Sequence, residues 1–436
     1  MMHPLKIAII GTGISGLSAA WLLHQNHDIT VYEQDERLGG HANTVTTPDG
    51  TAVDTGFIVY NEATYPNLTA LFDRLGVPTQ ASNMSFAISL NDGNLEYAGT
   101  NLGSLFAQKR NLLRPRFWAM LRDIKRFYTE ARRDQTTMGA ISLGDYLRVN
   151  HYSDAFRDDH LLPMAAAIWS APTEILLGYP AANFVQFCDN HGLLQIKNRP
   201  IWRTVTGGSR AYIQRISAGF QDRVRLNCGV VSVARTSQGV IVRDTTGAAN
   251  LYDHVILACH ADTSLKLIDT PTPAERALLS PFAYSHNLAV LHQDARFMPR
   301  RRTAWASWNY LGDHASTHTD TVLSVTYWMN RLQNLTTDKP LFVTLNPHRP
   351  PHDLLYTERY EHPVFTTQTR AAQQQLWSLQ GYGGVWFAGA YFGAGFHEDG
   401  LQAGLAVAEQ IGGRSRPWSV PNANGRICVT APAVPA

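Results

Sequence analysis

The feature that most limits what this chain can fold into lies within its first 33 residues. Lys6 to Ile10 (KIAII) is an apolar run of strand length. Gly11-Thr12-Gly13-Ile14-Ser15-Gly16 follows at once, and an Ala- and Leu-rich helical segment continues to His24. Asp28 to Tyr32 reads as a second strand and ends on Glu33, 22 residues after Gly11. Strand, Gly-rich turn, helix, strand and terminal acid describe a dinucleotide-binding βαβ unit. The glycines let a pyrophosphate approach the backbone at the helix N-terminus, and the acid accepts hydrogen bonds from a ribose hydroxyl pair. Gly11, Gly13, Ile14, Ser15, Gly16 and Glu33 are therefore the first cofactor-binding candidates.

The residues after Glu33 favour FAD over NAD. Leu38-Gly39-Gly40-His41-Ala42-Asn43-Thr44 places a second glycine pair close behind the ribose acid, and Val53-Asp54-Thr55-Gly56-Phe57 follows. A second close backbone approach suits a long bent dinucleotide, and a β-hairpin turn is the plainer alternative. Gly39, Gly40, His41 and Thr44 join the cofactor candidates.

Composition narrows the class. The 436 residues carry 37 Lys+Arg against 35 Asp+Glu, a formal +2, and 44% are hydrophobic while 17% are charged. Such a chain has enough apolar material for a two-domain globular enzyme, and its charge balance argues against disorder and against general nucleic-acid binding. Cys188, Cys228, Cys259 and Cys428 lie far apart with no CxxC pair, which indicates neither a zinc knuckle nor a disulfide framework and predicts a reduced, cytoplasmic protein. Glycines interrupt the apolar stretch Leu5 to Leu23, and no run reaches the roughly 18 to 20 apolar residues of a membrane span. HExxH, GxSxG and paired-cysteine signatures are absent, so no metal is expected.

Charge is concentrated in one place. Between Lys109 and Asp134, nine basic residues face only Asp123, Glu130 and Asp134, a local +6 that leaves the remainder at −4. Phe117, Trp118, Phe127 and Tyr128 interleave with the arginines, the composition of an amphipathic helix on an anionic membrane surface, with Arg122, Lys125 and Arg126 as contacts. A solvated helix face is the plainer reading, in which Phe117, Met120, Leu121, Ile124 and Phe127 share one side. The region from Tyr65 to Asn198 reads as helical. A Gly207-Gly208 turn opening a helix, alternating strands to Cys259 and a second sheet between Ala283 and Asn346 follow. The residues past Gly413, rich in Pro, Ser and Asn, read as a loosely ordered surface segment.

Four separated blocks resemble the superfamily of flavin-containing amine oxidases, protoporphyrinogen oxidase and phytoene-type desaturases. They are GTGISG with Glu33; GGHANT; Thr206-Gly207-Gly208-Ser209 followed by Gly229-Val230-Val231-Ser232-Val233; and WFAGAYFGAGFHEDGLQAG. The resemblance implies an α/β fold: a Rossmann-like FAD-binding domain made of residues 1–64, 201–275 and 380–413, an inserted α+β substrate domain made of 65–200 and 276–379, and a tail, 414–436. It also implies that Val230 meets the adenine region through its backbone and that Gly389, Ala390 and Glu398 bring a helix N-terminus under the flavin. His41 stands where the superfamily usually has arginine. No cysteine occurs between Cys259 and Cys428, where many amine oxidases attach flavin covalently, so the FAD is expected to be non-covalent. The phrases DTGFIVYNEATYPNL, FMPRRRTAWASWNY, TYWMNRLQ, FVTLNP and GFHEDG are similar to a bacterial branch associated with cyclopropane-fatty-acid synthases, which implies a lipid or fatty acyl substrate.

The expected reaction is FAD-dependent dehydrogenation of an unsaturated or methylated fatty acyl chain, with hydride passing to flavin N5. His397 and Glu398 are the catalytic candidates for taking the proton, while Asp399 reads as a helix cap. Tyr60, Tyr65, Trp169, Trp305, Trp308, Tyr310, Tyr327 and Trp328 either wall the substrate or fill the core. Asn61, Tyr65, Trp308 and Trp328 are the substrate candidates. An amine oxidase and a flavin-binding accessory protein of a lipid methyltransferase are the alternatives, and peripheral attachment to the inner membrane face accompanies the lipid reading.

Overall fold

The predicted βαβ unit is present as β1 (Lys6–Ile10), α1 (Ile14–Leu23) and β2 (Asp28–Tyr32) in a computed structural model that describes residues 3–169, 173–190, 192–195, 199–312, 324–412 and 414–429. The side chain of Trp169 lies outside the described residues. β1 is buried from Ile7 to Ile10, as a central strand covered on both faces must be. It pairs in parallel with β2 on one side and His254–Leu257 on the other. Val224–Arg225 and Val385–Phe387 complete a five-stranded parallel sheet. One sheet thus draws strands from the beginning, middle and end of the chain.

A second, seven-stranded sheet runs in the order Leu354–Val364, Ala283–His292, Phe342–Leu345, Ser324–Trp328, Trp308–Gly312, Phe86–Leu90, Leu95–Ala98. Its pairs are antiparallel except that of Trp308–Gly312 with Phe86–Leu90, where strands from two distant stretches meet. Phe86–Leu90 and Leu95–Ala98, with Thr79–Ala81, correct the expectation of a wholly helical middle. They are short, and although Phe86–Leu90 and Leu95–Ala98 pair as a hairpin, Phe86–Leu90 and Thr79–Ala81 take their other partners far along the chain, so local periodicity carries little sign of them.

The basic segment forms a 20-residue helix, Pro115–Asp134, with Pro at its first turn. Its apolar stripe, Phe117, Met120, Phe127 and Ala131, is buried in the core and does not face outward. Asp123 is fully buried on the same helix and binds Arg122, Arg126 and the Ser153 N–H. Arg126 also reaches Glu130 and the Asn150 carbonyl and lies over the Tyr152 ring. The flat membrane-lying helix expected from Arg122, Lys125 and Arg126 is therefore not presented: the apolar face is used internally.

The C-terminal segment is not loose over its described residues, 414–429, either. Trp418 stacks on Trp21 at 5.7 Å, Ile427 joins the core, and Arg416 bonds Glu409, Asn67 and Asn424. Arg426 donates to the buried Asp399 at 2.5 Å and to the Thr64 carbonyl at 3.0 Å. Arg426→Met leaves that carboxylate buried without its cation, and we expect it to lower unfolding free energy by about 3 kcal/mol, read from denaturant midpoints.

His292 supplies a pH prediction. It is fully buried; the Asp294 N–H donates to Nδ1 at 3.1 Å, so Nε2 carries the hydrogen and donates to Thr344 Oγ1 at 2.7 Å. Burial pushes its pKa down from 6.5 to about 4. Between those values the unfolded chain binds a proton that the folded chain refuses. Stability from this group is complete above pH 6.5 and falls as pH drops through the window, by up to about 1.4 kcal/mol per pH unit. His292→Gln should flatten the acid limb of a melting-temperature profile.

Candidate functional site

A single cavity of ≈ 1590 Å³ runs from the Gly-rich turn of β1–α1, past the second glycine pair, to the N-terminus of the C-terminal helix His397–Gln410, and on into an apolar arm. At its first end, Gly11 (φ +102) folds back so tightly that a Cβ would lie 2.8 Å from the Ala258 carbonyl oxygen. Gly13 is different: a Cβ there meets no protein atom within 4 Å, because the space before α1 is cavity. The first turn of α1 carries no acid and Gly13 no capping side chain, which leaves the positive end of the helix dipole facing that space. Gly40 packs its backbone against Gly13, bringing the second glycine pair to the same wall. Glu33 closes β2 and accepts from the Thr12 N–H at 3.0 Å and from the Thr12 hydroxyl.

Gly11, Gly13, Ile14, Ser15, Glu33, Gly39, Gly40, His41, Val230, Gly389 and Ala390 all line this cavity. Three cofactor candidates do not. Gly16 is packed inward, where a Cβ would collide with the Gly11 carbonyl. Thr44 donates to Asp54 at 2.6 Å and accepts from the Arg210 N–H, tying its loop to the Gly207-Gly208 turn. Glu398 is fully buried and accepts from the Asn67 and Leu68 backbone N–H groups, the Asn67 amide and Gln402. It caps the neighbouring helix Pro66–Leu75, and burial raises its pKa. As a proton acceptor at the cavity it is misplaced, because its oxygens are committed elsewhere.

His397 does line the cavity. Its ring stacks on Phe57 at 3.8 Å and 9°, and Nε2 is 2.7 Å from the Tyr212 hydroxyl. Burial pushes its pKa from 6.5 down to about 3, so the imidazole stays neutral and is a poor proton acceptor. Asp399 accepts from the Ala394 and Phe396 N–H groups and from Arg426, which fixes the turn that opens the C-terminal helix.

The wall opposite carries residues that the sequence did not single out. Tyr284 to Asn287 pairs with Tyr360 to Pro363 on the neighbouring strand, with His286 opposite Glu361. His260 Nδ1 and His286 Nδ1 lie 3.1 and 3.0 Å from the two Glu361 oxygens, and His260 stacks on Tyr284 at 4.1 Å. His41 lies 5.5 Å from His362 and 6.5 Å from His260, ring to ring. Burial, and then the nearby histidines, hold His41 well below its usual value. A fixed charge is nevertheless present beside the glycine pair: Arg37 lines the cavity and donates to the Gly40 carbonyl at 2.7 Å. The alternation YSHN and RYEH was the available signal, but only strand pairing shows that these segments meet.

Beyond His397 the cavity turns apolar. Leu105, Leu121, Ile124, Met164, Ile168 and Leu193 line the arm, joined by Tyr97, Tyr128, Trp308 and Tyr327. Among the described residues, the carboxylates on the cavity wall, Glu33, Asp35, Glu358 and Glu361, all belong to the end of β2 and its following loop or to the strand Leu354–Val364, and none lies among these arm residues. Tyr65 and Trp308 reach the cavity, whereas Asn61 and Trp328 do not. Asn61 is buried and accepts from the Thr64 N–H and hydroxyl within its own turn, and Trp328 packs edge-on against Trp305 at 5.4 Å.

Comparison with known proteins accords with this geometry. AofH of Mycobacterium tuberculosis, provisionally described as a flavin-containing monoamine oxidase, is 26% identical over 277 residues, 62% of this chain and 60% of that protein. The matched region therefore spans under two thirds of that relative. Among solved structures, a triple mutant of putrescine oxidase aligns with a TM-score of 0.66 and 16% identity over 94% of this chain and 98% of that one. The CLA-producing fatty acid isomerase from P. acnes aligns with a TM-score of 0.66 and 15% identity over 94% and 100%. At these identities the likeness is one of fold. The model of the flavin containing amine oxidoreductases matches residues 14–412, from the start of α1 to just beyond the C-terminal helix. With the Gly-rich cradle at one end of its cavity and that helix at the other, the chain belongs to the flavin-containing amine oxidoreductase family.

Proposed function

We propose that the protein dehydrogenates an unsaturated or methylated fatty acyl chain held in the apolar arm. The observation that carries this reading is the chemistry of the arm: among the described residues it is walled by aliphatic and aromatic side chains without a carboxylate, and the cavity lining there includes Arg199. A protonated amine finds no counterion there, whereas a long apolar chain is desolvated along its length. The flavin, when bound, supplies the hydride acceptor. Gly11, Gly13, Ile14 and Ser15 cradle the pyrophosphate, Glu33 holds the ribose, Val230 borders the adenine region, and Gly389 and Ala390 lead the C-terminal helix toward the ring. Arg37 provides the fixed charge that His41 lacks. Cys228 and Cys259 line the cavity, but burial raises both thiols, Cys259 to about 11, so neither is poised as a thiolate, which supports a non-covalently held cofactor. His397, kept neutral against Phe57 and Tyr212, orients the ring end of the site and excludes water.

The amine-oxidase reading rests on the family and on AofH. Anaerobic incubation with fatty acids, acyl phospholipids and amines separates the two: acyl lipids are expected to bleach the flavin, and bleaching by amines alone overturns the acyl reading. Neither class reducing the flavin favours the accessory-protein alternative.

The cradle has its own test. Because a Cβ at Gly13 enters only empty cavity, Gly13→Ala should leave the melting temperature of the flavin-free protein nearly unchanged. The same variant should weaken FAD binding about tenfold or more, measured by quenching of flavin fluorescence on titration.

A further inference from the structure

With its apolar face buried, the basic helix cannot lie on a membrane, yet the turn leading into it is exposed in an unusual way. Leu102 is 75% exposed, Leu113 88%, Leu112 49% and Trp118 48%, four large apolar side chains within 17 residues. They form one tip: Trp118 Nε1 donates to the Leu112 carbonyl at 2.9 Å, and its ring lies 5.8 Å from that of Phe106, which follows the short helix Leu102–Leu105. Water contact at these side chains is unfavourable, and no described part of the chain covers them.

The surroundings of the tip are cationic. Lys109 and Arg110 are exposed on the turn itself. Arg110 and Arg114 both bond Asn94, and an open cleft beside them is lined by Asp92, Gly93, Asn94, Arg110, Arg300 and Arg301. Asp92 pairs with Arg300, and the buried Glu96 pairs with Arg301, so the acids of this face are already engaged while cations remain in excess. Apolar side chains at the centre and guanidinium and ammonium groups at the edge match the layered chemistry of an anionic bilayer surface: acyl carbon inside, phosphate outside.

The tip also lies over the apolar arm. Leu105, one turn beyond Leu102, and Leu121, one turn beyond Trp118, both line it. Residues one turn apart share a helix face, so each element carries its apolar row from the exposed tip to the cavity wall.

We infer that Leu102, Leu112, Leu113 and Trp118 dip into an anionic phospholipid surface, with Lys109 and Arg110 on the phosphates, and that this tip is where an acyl chain passes from bilayer to arm. The second part rests on the acyl-chain reading above; the first does not, and it is measured without turnover.

The experiment is sedimentation of the flavin-loaded protein with phosphatidylcholine vesicles, with and without phosphatidylglycerol. Wild type is expected to bind only the anionic vesicles and to be released by high salt. Leu102→Ser with Leu113→Ser, and separately Lys109→Glu with Arg110→Glu, should each weaken binding about tenfold or more, while Leu354→Ser, an exposed leucine elsewhere, should not. Quenching by brominated lipid provides a readout independent of these substitutions: it should be strong in wild type and reduced in Trp118→Phe. Absence of binding to anionic vesicles, binding that survives both double variants, or quenching unchanged in Trp118→Phe overturns the proposal. Flavin bleaching by acyl lipids in any of those cases leaves the reaction standing and removes only the docking surface.

Discussion

The contact on which the site depends is the crossing of α1 with the C-terminal helix. A Cβ at Gly404 would lie 2.1 Å from the Ser15 carbonyl oxygen, and one at Gly400 would lie 2.9 Å from Ile14 and Ser15 side-chain atoms. Only glycine permits so close an approach. Two segments nearly 400 residues apart are thereby held as one body. The two ends of the cavity, the Gly11–Gly13 turn and the Gly389–His397 turn, inherit their separation from that crossing.

Buried acids then pin the loops that surround it. Asp54 receives the Thr44 hydroxyl, the Ser209 N–H and hydroxyl and the Gln333 amide, joining three distant loops. Glu398 caps the helix Pro66–Leu75, and Asp399 with Arg426 fastens both the turn before the C-terminal helix and the chain's final segment. Polar groups at such depth are favourable only when every oxygen has a donor, and here they do. The motif acids DTG and HEDG therefore serve architecture. Three further ionisable groups open to the cavity, His260, His286 and Glu361, lie outside every motif: His286 and Glu361 on paired strands, and His260 at the start of a short helix.

What sequence could reveal follows range of interaction. The βαβ unit rests on neighbouring residues, and the glycine turns on local backbone demands, so β1, α1, β2, Gly11, Gly13 and Gly40 stand where the pattern put them. The direction of a side chain at a helix start is not local. His397 faces the cavity and Glu398, one residue on, faces the Pro66–Leu75 helix; the HEDG tetrad reads alike for both. The tail shows the same limit: its Pro, Ser and Asn suggested looseness, but Trp418, Arg416 and Arg426 find partners that composition cannot show.

By itself the sequence determined the cofactor-binding frame: a strand, a glycine turn and an acid are short-range features whose physics is complete within about 30 residues. It likewise determined that an apolar stripe runs along the basic helix. Only the tertiary structure decided which way that stripe faces, because a helix with one apolar side is equally satisfied by a core or by a bilayer. Packing of Phe117, Met120 and Phe127 in the core beside the seven-stranded sheet resolved it inward, and left the apolar turn at Leu112 and Leu113 outside.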